Sequence, residues 1–318
     1  MSMKSVFVGA LADLFLLAGV AAQAQPTPTK TVRLYPAGQG VDQGIVEGGK
    51  AVTLGPGESN GLTGPAQDRG GLRWGNVGDD ARMDLYIPAK CNGQMIVICP
   101  GGGYSYCSSD GEGAKAADWC LQHGIAACVL IYRMPNGHAA VPLTDVQNAF
   151  RYCRAHAAEW GVKQIGIMGF SAGGHLAAYA STLPADELTR PDFSVLIYPV
   201  ITLEEFITHA GTRQNLLGTR AWRNQVEYYS LENRVTRDTP PALLICCADD
   251  GAVPPENSIR YFRAMQRFGV KGELHILSSG GHGFGFNTAA NNGGRDALGA
   301  EQRADFFRTL ERWLGARQ

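Results

Sequence analysis

The sequence predicts an α/β fold: one mostly parallel central sheet with helices on both faces and a small insertion above one sheet edge. Three observations predict it. From Met95 onward, short continuous apolar runs alternate with longer stretches of helical periodicity, and strands buried on both faces read as such runs. Hydrophobic residues make up 45% of the 318 residues and charged residues 18%, enough apolar surface for a sizeable core. No internal repeat or low-complexity tract divides the chain, so residues 25–318 read as one domain.

Taken in order, the first 24 residues stand apart. Lys4 precedes an apolar stretch from Val6 to Ala22, interrupted by Asp13, and Ala22-Gln23-Ala24 offers a small-residue cleavage site. This pattern predicts a signal peptide over 1–24 and a secreted or periplasmic protein. The run is too short and too interrupted for a spanning helix, so no stable membrane insertion is expected. A glycine-rich stretch follows, with edge strands expected at Thr31–Tyr35 and Met83–Ile87. The apolar runs Met95–Cys99, Ala126–Tyr132, Gln164–Met168, Ser194–Tyr198, Leu243–Cys247 and Leu274–Leu277 predict the remaining strands. Between them, Val146, Ala149, Phe150, Cys153, Ala157 and Trp160 recur at helical spacing over 141–160, and Gly161 stops that helix. Leu176–Thr182 and the stretches after Pro255 and Ala297 carry similar patterns. The connection between Pro199 and Pro240 is too long for this rhythm, so residues 201–239 are expected to form a lid or a substrate-binding wall.

Charge and cysteine content exclude whole classes of function. A formal net charge of −1 without a basic stripe argues against a nucleic-acid partner. Of eight cysteines, Cys99, Cys128, Cys246 and Cys247 lie in apolar strands and Cys120 and Cys153 on helices, where Cys serves as a small hydrophobe. A disulfide stays open only for Cys91 or Cys107, and no Cys/His spacing suggests zinc.

The chemistry-bearing segment is Gly169-Phe170-Ser171-Ala172-Gly173, where an apolar strand runs into a turn and then a helix. Flanking glycines let a strained turn form and expose the Ser171 hydroxyl at the carboxyl end of the sheet, the setting of a nucleophile elbow. A serine needs a base to take its proton. Of seven histidines, His282 follows the last strand in a glycine-rich loop, whereas His175 enters the helix after Ser171 and reads as structural; His123, His138, His156, His209 and His275 lack a catalytic setting. The imidazole in turn needs a carboxylate. Asp249 and Asp250 both follow a buried strand and either could serve; Asp250 is favoured because Asp250-Gly251-Ala252-Val253-Pro254 resembles the D-x-x-V-P turn of many hydrolases with such an elbow. For an oxyanion, the candidates are the N–H of Ala172 and those of Gly102 and Gly103, in Pro100-Gly101-Gly102-Gly103-Tyr104 after the strand Met95–Cys99. No Gly-Lys-Ser/Thr follows these glycines, so they do not read as a phosphate loop. Tyr104 and Tyr106, with Trp222, Tyr228 and Tyr229 from the insertion, are candidates to stack on a substrate ring.

Together these residues resemble a known group. Cys99 to Tyr104, Tyr132-Arg133-Met134-Pro135, Gly169 to Leu176, Thr239-Pro240-Pro241, Ala248 to Pro254, Glu256-Asn257-Ser258 and Gly280 to Gly283 are similar, from about Arg82 to Leu314, to the bacterial α/β-hydrolases that act as acetyl, acetylxylan or feruloyl esterases. Two departures stand out. Pro100 replaces the histidine that opens the oxyanion motif in lipase-like relatives, and Gly251-Ala252 replaces a frequent Pro-Val pair. The resemblance implies a serine esterase acting on acylated carbohydrate, acetylated xylan above all, through an acyl-enzyme and with neither a metal nor an organic cofactor. Feruloyl or general carboxylesterase activity is the alternative. A peptidase and a non-catalytic hydrolase-fold binding protein stand behind it.

Overall fold

The computed structural model describes residues 26–36, 77, 80–286 and 298–317, together with the backbone of 46–47, 50–51, 64–68 and 71–75. The expected signal peptide lies outside the described residues.

Eight strands form the central sheet: β1 (Lys30–Arg33), β2 (Arg82–Tyr86), β3 (Gln94–Cys99), β4 (Ala126–Ile131), β5 (Gln164–Phe170), β6 (Ser194–Ile197), β7 (Ala242–Cys247) and β8 (Gly272–Leu277). Their order is β1-β2-β4-β3-β5-β6-β7-β8. The β1–β2 and β2–β4 pairings are antiparallel and every other pairing is parallel. The fully apolar runs make the interior strands, because β3, β4, β6 and β7 are buried at every position. At the edge, β8 is only partly buried along its length and exposes Ile276, so its apolar pattern is weaker.

Helices cover both faces: α1 (Lys115–Gln122), α2 (Ala140–His156), α3 (Ser171–Thr182), α6 (Glu256–Phe268) and α7 (Ala300–Gly315), with α4 (Ala210–Leu217) and α5 (Arg223–Tyr229) inside the expected insertion. A π-helical turn, Asp110–Ala114, leads into α1. The α2 helix ends at His156, short of the expected Trp160, and turn residues carry the chain to Gly161 at φ +68°. All twelve residues of α3 are buried, most of them small (Ser, Ala, Gly or Thr). A Cβ on Gly173 would stand 2.1 Å from the Cys99 carbonyl oxygen, so only glycine lets α3 pass this close to β3.

The polar motif after β4 turns inward. Arg133 and Asp145 are both fully buried, their side chains joined at 2.6 Å. The Arg133 guanidinium also donates to the Tyr35 hydroxyl at 2.6 Å and lies 4.2 Å above its ring. A buried charge left alone would cost several kcal/mol; here each group is paired, and the pair ties the β1 end of the sheet to α2. All eight cysteines are free, so neither Cys91 nor Cys107 takes the bridge left open for it. No helix among the described residues is long and apolar enough to cross a membrane.

Candidate active site

Four strand ends converge on one point. At the end of β5 the chain turns directly into α3, and Ser171 takes φ +52°, in the left-handed region that costs a side-chain-bearing residue energy. The turn is tight because a Cβ at Gly169 would lie 2.2 Å from the Gly173 carbonyl oxygen and one at Gly174 would lie 2.7 Å from Pro199.

The Ser171 hydroxyl donates to His282 Nε2 at 2.8 Å, and His282 Nδ1–H donates to Asp250 Oδ2 at 2.7 Å. The Asp250 side chain is fully buried. Its other oxygen accepts the amides of Ala252 and Val253 at 2.9 and 2.8 Å, which fixes the carboxylate in the turn after β7. Asp249 does a different job. It is exposed, and it accepts the amides of Gly280 and Gly281 at 3.2 and 2.9 Å, shaping the loop that carries His282. The Gly281 and Gly280 N–H groups hold its carboxyl below the usual range. Geometry therefore separates two neighbouring aspartates that the sequence leaves close to equivalent.

The glycine loop after β3 runs past the nucleophile: a Cβ on Gly101 would lie 3.0 Å from Ser171 Cβ. Gly102 and Gly103 adopt φ of +131° and +63°. Among the described residues neither of their amides has an acceptor, and Ala172, second in α3, has an N–H that the helix cannot satisfy internally. Among the described residues the Gly102 and Gly103 amides are thus without competing acceptors, in the loop whose Gly101 abuts Ser171. The Gly101 amide is spent elsewhere, on Glu112 Oε2 at 2.8 Å. Glu112 is buried in the π-helical turn and also accepts the Tyr198 hydroxyl at 2.9 Å, while the Tyr198 ring centre lies 4.8 Å from that of His282. One carboxylate thereby braces both the glycine loop and the residue behind the histidine. No sequence pattern marks Glu112, since its partners come from other loops.

The ring candidates fare unevenly. Tyr104 is 1% exposed, and its hydroxyl donates to His175 Nδ1 at 3.0 Å. Its side chain is thus turned inward onto His175 and not toward the open surface expected of a substrate contact. Tyr106 is half-buried, its backbone packed against Gly102. On the insertion, Trp222 is 75% exposed, Tyr228 lies under the Arg234 guanidinium at 4.3 Å, and the Tyr229 carbonyl accepts His175 Nε2–H at 2.9 Å. His175 is fully buried, as a structural histidine should be, and burial pushes its pKa down to about 4.

The insertion supplies a residue that sequence reasoning missed. His209 caps the N-terminus of α4, its Nδ1 accepting the Thr212 amide at 3.1 Å. A Cβ on Gly103 would lie 3.4 Å from His209 Cε1, so the imidazole overhangs the glycine loop. Asn215 Nδ2, two turns along, donates to the Gly103 carbonyl and to Ser105 Oγ, both at 2.8 Å.

Comparison with known proteins bears on the family and the fold. The BD-FAE family model matches residues 83–265. An acetylxylan esterase of Xylanibacter ruminicola is 42% identical over 221 residues, 67% of this chain and 46% of that protein. The endo-1,4-beta-xylanase B of Butyrivibrio fibrisolvens is 34% identical over 235 residues, 67% of this chain and 36% of that protein. The chain thus spans less than half the length of either curated relative. The crystal structure of an acetyl ester-xyloside bifunctional hydrolase from Caldicellulosiruptor lactoaceticus superposes with a TM-score of 0.68 at 28% identity, over 91% of this chain and 97% of that one.

Proposed function

We propose that this chain, which belongs to the BD-FAE family and has the α/β-hydrolase fold, is a serine esterase that removes short acyl groups, acetyl first, from xylan-type carbohydrate. The observation that carries the reading is the hydrogen-bonded line Ser171–His282–Asp250, with Ser171 against a glycine loop whose Gly102 and Gly103 amides have no acceptor among the described residues.

In this reading Ser171 Oγ attacks the ester carbonyl as His282 Nε2 takes its proton. Asp250 holds the imidazole in the tautomer with Nδ1 protonated and stabilises the imidazolium that forms. The amides of Ala172, Gly102 and Gly103 receive the oxyanion, each donor contributing roughly 2.7–4 kcal/mol to the transition state. His282 then protonates the leaving sugar oxygen, and water, activated by the same histidine, releases the acid from the acyl-enzyme. Neither half-reaction requires a metal or an organic cofactor.

The names of the relatives support acetylated xylan as substrate, and the leader read at 1–24 supports action outside the cytoplasm, where the polymer is found. Acetate and ferulate release from acetylated and feruloylated xylo-oligosaccharides tests the proposal. Acetate release by the wild type and none by Ser171→Ala is expected. Ferulate release without acetate, or equal acetate release by both proteins, would overturn it.

A further inference from the structure

The catalytic line accounts for the ester carbonyl and for the leaving oxygen, but not for how the site would tell a sugar ester from any other acetate. An acetyl methyl offers nothing to a hydrogen-bond donor. A sugar leaving group does, because a free hydroxyl stands on the carbon next to the ester oxygen. A donor fixed over the alcohol half of the site could read that hydroxyl.

His209 has these properties. The backbone N–H of Thr212 can only donate, so His209 Nδ1 accepts and the proton of the neutral ring sits on Nε2. The Thr212 hydroxyl lies 2.9 Å from the same Nδ1 and steadies the ring plane. Burial first, and the nearby His282 second, lower the His209 pKa, so the ring is neutral at neutral pH with Nε2–H as a donor. That N–H has no acceptor among the described residues.

Its placement follows from α4. The inner face of this helix carries His209, Thr212 and Asn215 at helical spacing. Thr212 is fully buried, and Asn215 anchors the helix to Gly103 and Ser105. The ring is therefore held against Gly103, on the oxyanion side, and within electrostatic reach of His282 and Asp250. The leaving oxygen must come to His282 Nε2 to be protonated, so a ring that overhangs Gly103 and lies close enough to His282 to feel its charge stands beside the path of the alcohol half of the ester.

We infer that His209 is a specificity residue, donating from Nε2–H to the sugar hydroxyl adjacent to the scissile ester. The inference rests on the proposed esterase function and deepens it: the lid supplies recognition of the sugar, while the sheet supplies the chemistry.

The test uses two probes, a monoacetylated methyl xyloside and the analogue in which the hydroxyl next to the ester is replaced by hydrogen. The readout is the ratio of their kcat/KM values, which cancels general damage to the catalytic machinery. His209→Asn keeps an N-cap side chain of a favoured type but is too short to reach the cleft; His209→Gln restores an N–H at about the reach of Nε2. The wild type is expected to prefer the hydroxyl-bearing probe by about ten-fold, the worth of one neutral hydrogen bond at a site that otherwise leaves a donor unpaired. His209→Asn should lose most of that preference, and His209→Gln should regain part of it. A wild-type preference that survives in His209→Asn overturns the inference and leaves the esterase reading standing. A wild type that cleaves neither probe overturns both.

Discussion

The Glu112 carboxylate offers a sharp test of how the glycine loop is held. It is 7% exposed and accepts two donors, the Gly101 amide at 2.8 Å and the Tyr198 hydroxyl at 2.9 Å. Glu112→Ala leaves both donors buried without that acceptor, at roughly 1–3 kcal/mol each, or about 2–6 kcal/mol of stability. Glu112→Gln is gentler: its one carbonyl oxygen can serve Gly101, and its NH2 can face the Tyr198 oxygen. What it loses is the charge assistance, roughly 1.5–3 kcal/mol in all. Because Gly101 precedes the candidate donors Gly102 and Gly103, the loss passes to the oxyanion loop. A donor removed outright costs about 2.7–4 kcal/mol, which bounds the catalytic effect from above. The expected outcome for Glu112→Gln is a fall in kcat of roughly 10–100-fold with KM changed by less than about three-fold, as for an interaction made only in the transition state. Steady-state kinetics on an aryl acetate, with a thermal melt alongside, measures both. A Glu112→Gln enzyme that melts lower but keeps wild-type kcat would refute the reasoning, since the carboxylate would then be bracing the fold alone.

Other outcomes follow from the same geometry. Asp250→Asn should lower kcat by about 10⁴-fold, because it favours the wrong histidine tautomer, whereas Asp249→Asn keeps an acceptor for the Gly280 and Gly281 amides and should cost about ten-fold or less; equal losses in both would contradict the separation of their roles. His175, pushed down to about 4 in the fold from an ordinary value of 6.5, binds its proton in the unfolded chain first. Stability should therefore be full above pH 6.5 and be lost as pH falls toward 4, by roughly 3 kcal/mol from this residue alone. Urea midpoints for the wild type and for His175→Gln, whose amide can keep both hydrogen bonds without titrating, should converge over that range; parallel curves would rule His175 out as the source.

What was legible in the sequence was whatever repeats or runs along the chain. β3 to β7 announce themselves as apolar runs because both faces of each are covered, and Ser171, Asp250 and His282 sit in short motifs at the ends of β5, β7 and β8. Groups whose role depends on distant partners were not legible. Glu112 gains its meaning from Gly101 and from Tyr198, 86 positions away, and His209 from a glycine loop packed against it by α4. Tyr104 shows the same dependence: it directly follows the glycines that are candidate oxyanion donors, yet at φ +58° its side chain turns inward to His175.

The central claim is that Ser171 is the nucleophile activated by His282. Intact-protein and peptide mass spectrometry after treatment with a fluorophosphonate tests it most directly. A single phosphonyl adduct on the peptide carrying Ser171, absent in Ser171→Ala and strongly slowed in His282→Ala, is the expected result. No adduct on the folded wild type, or an adduct that persists in Ser171→Ala, would contradict the account.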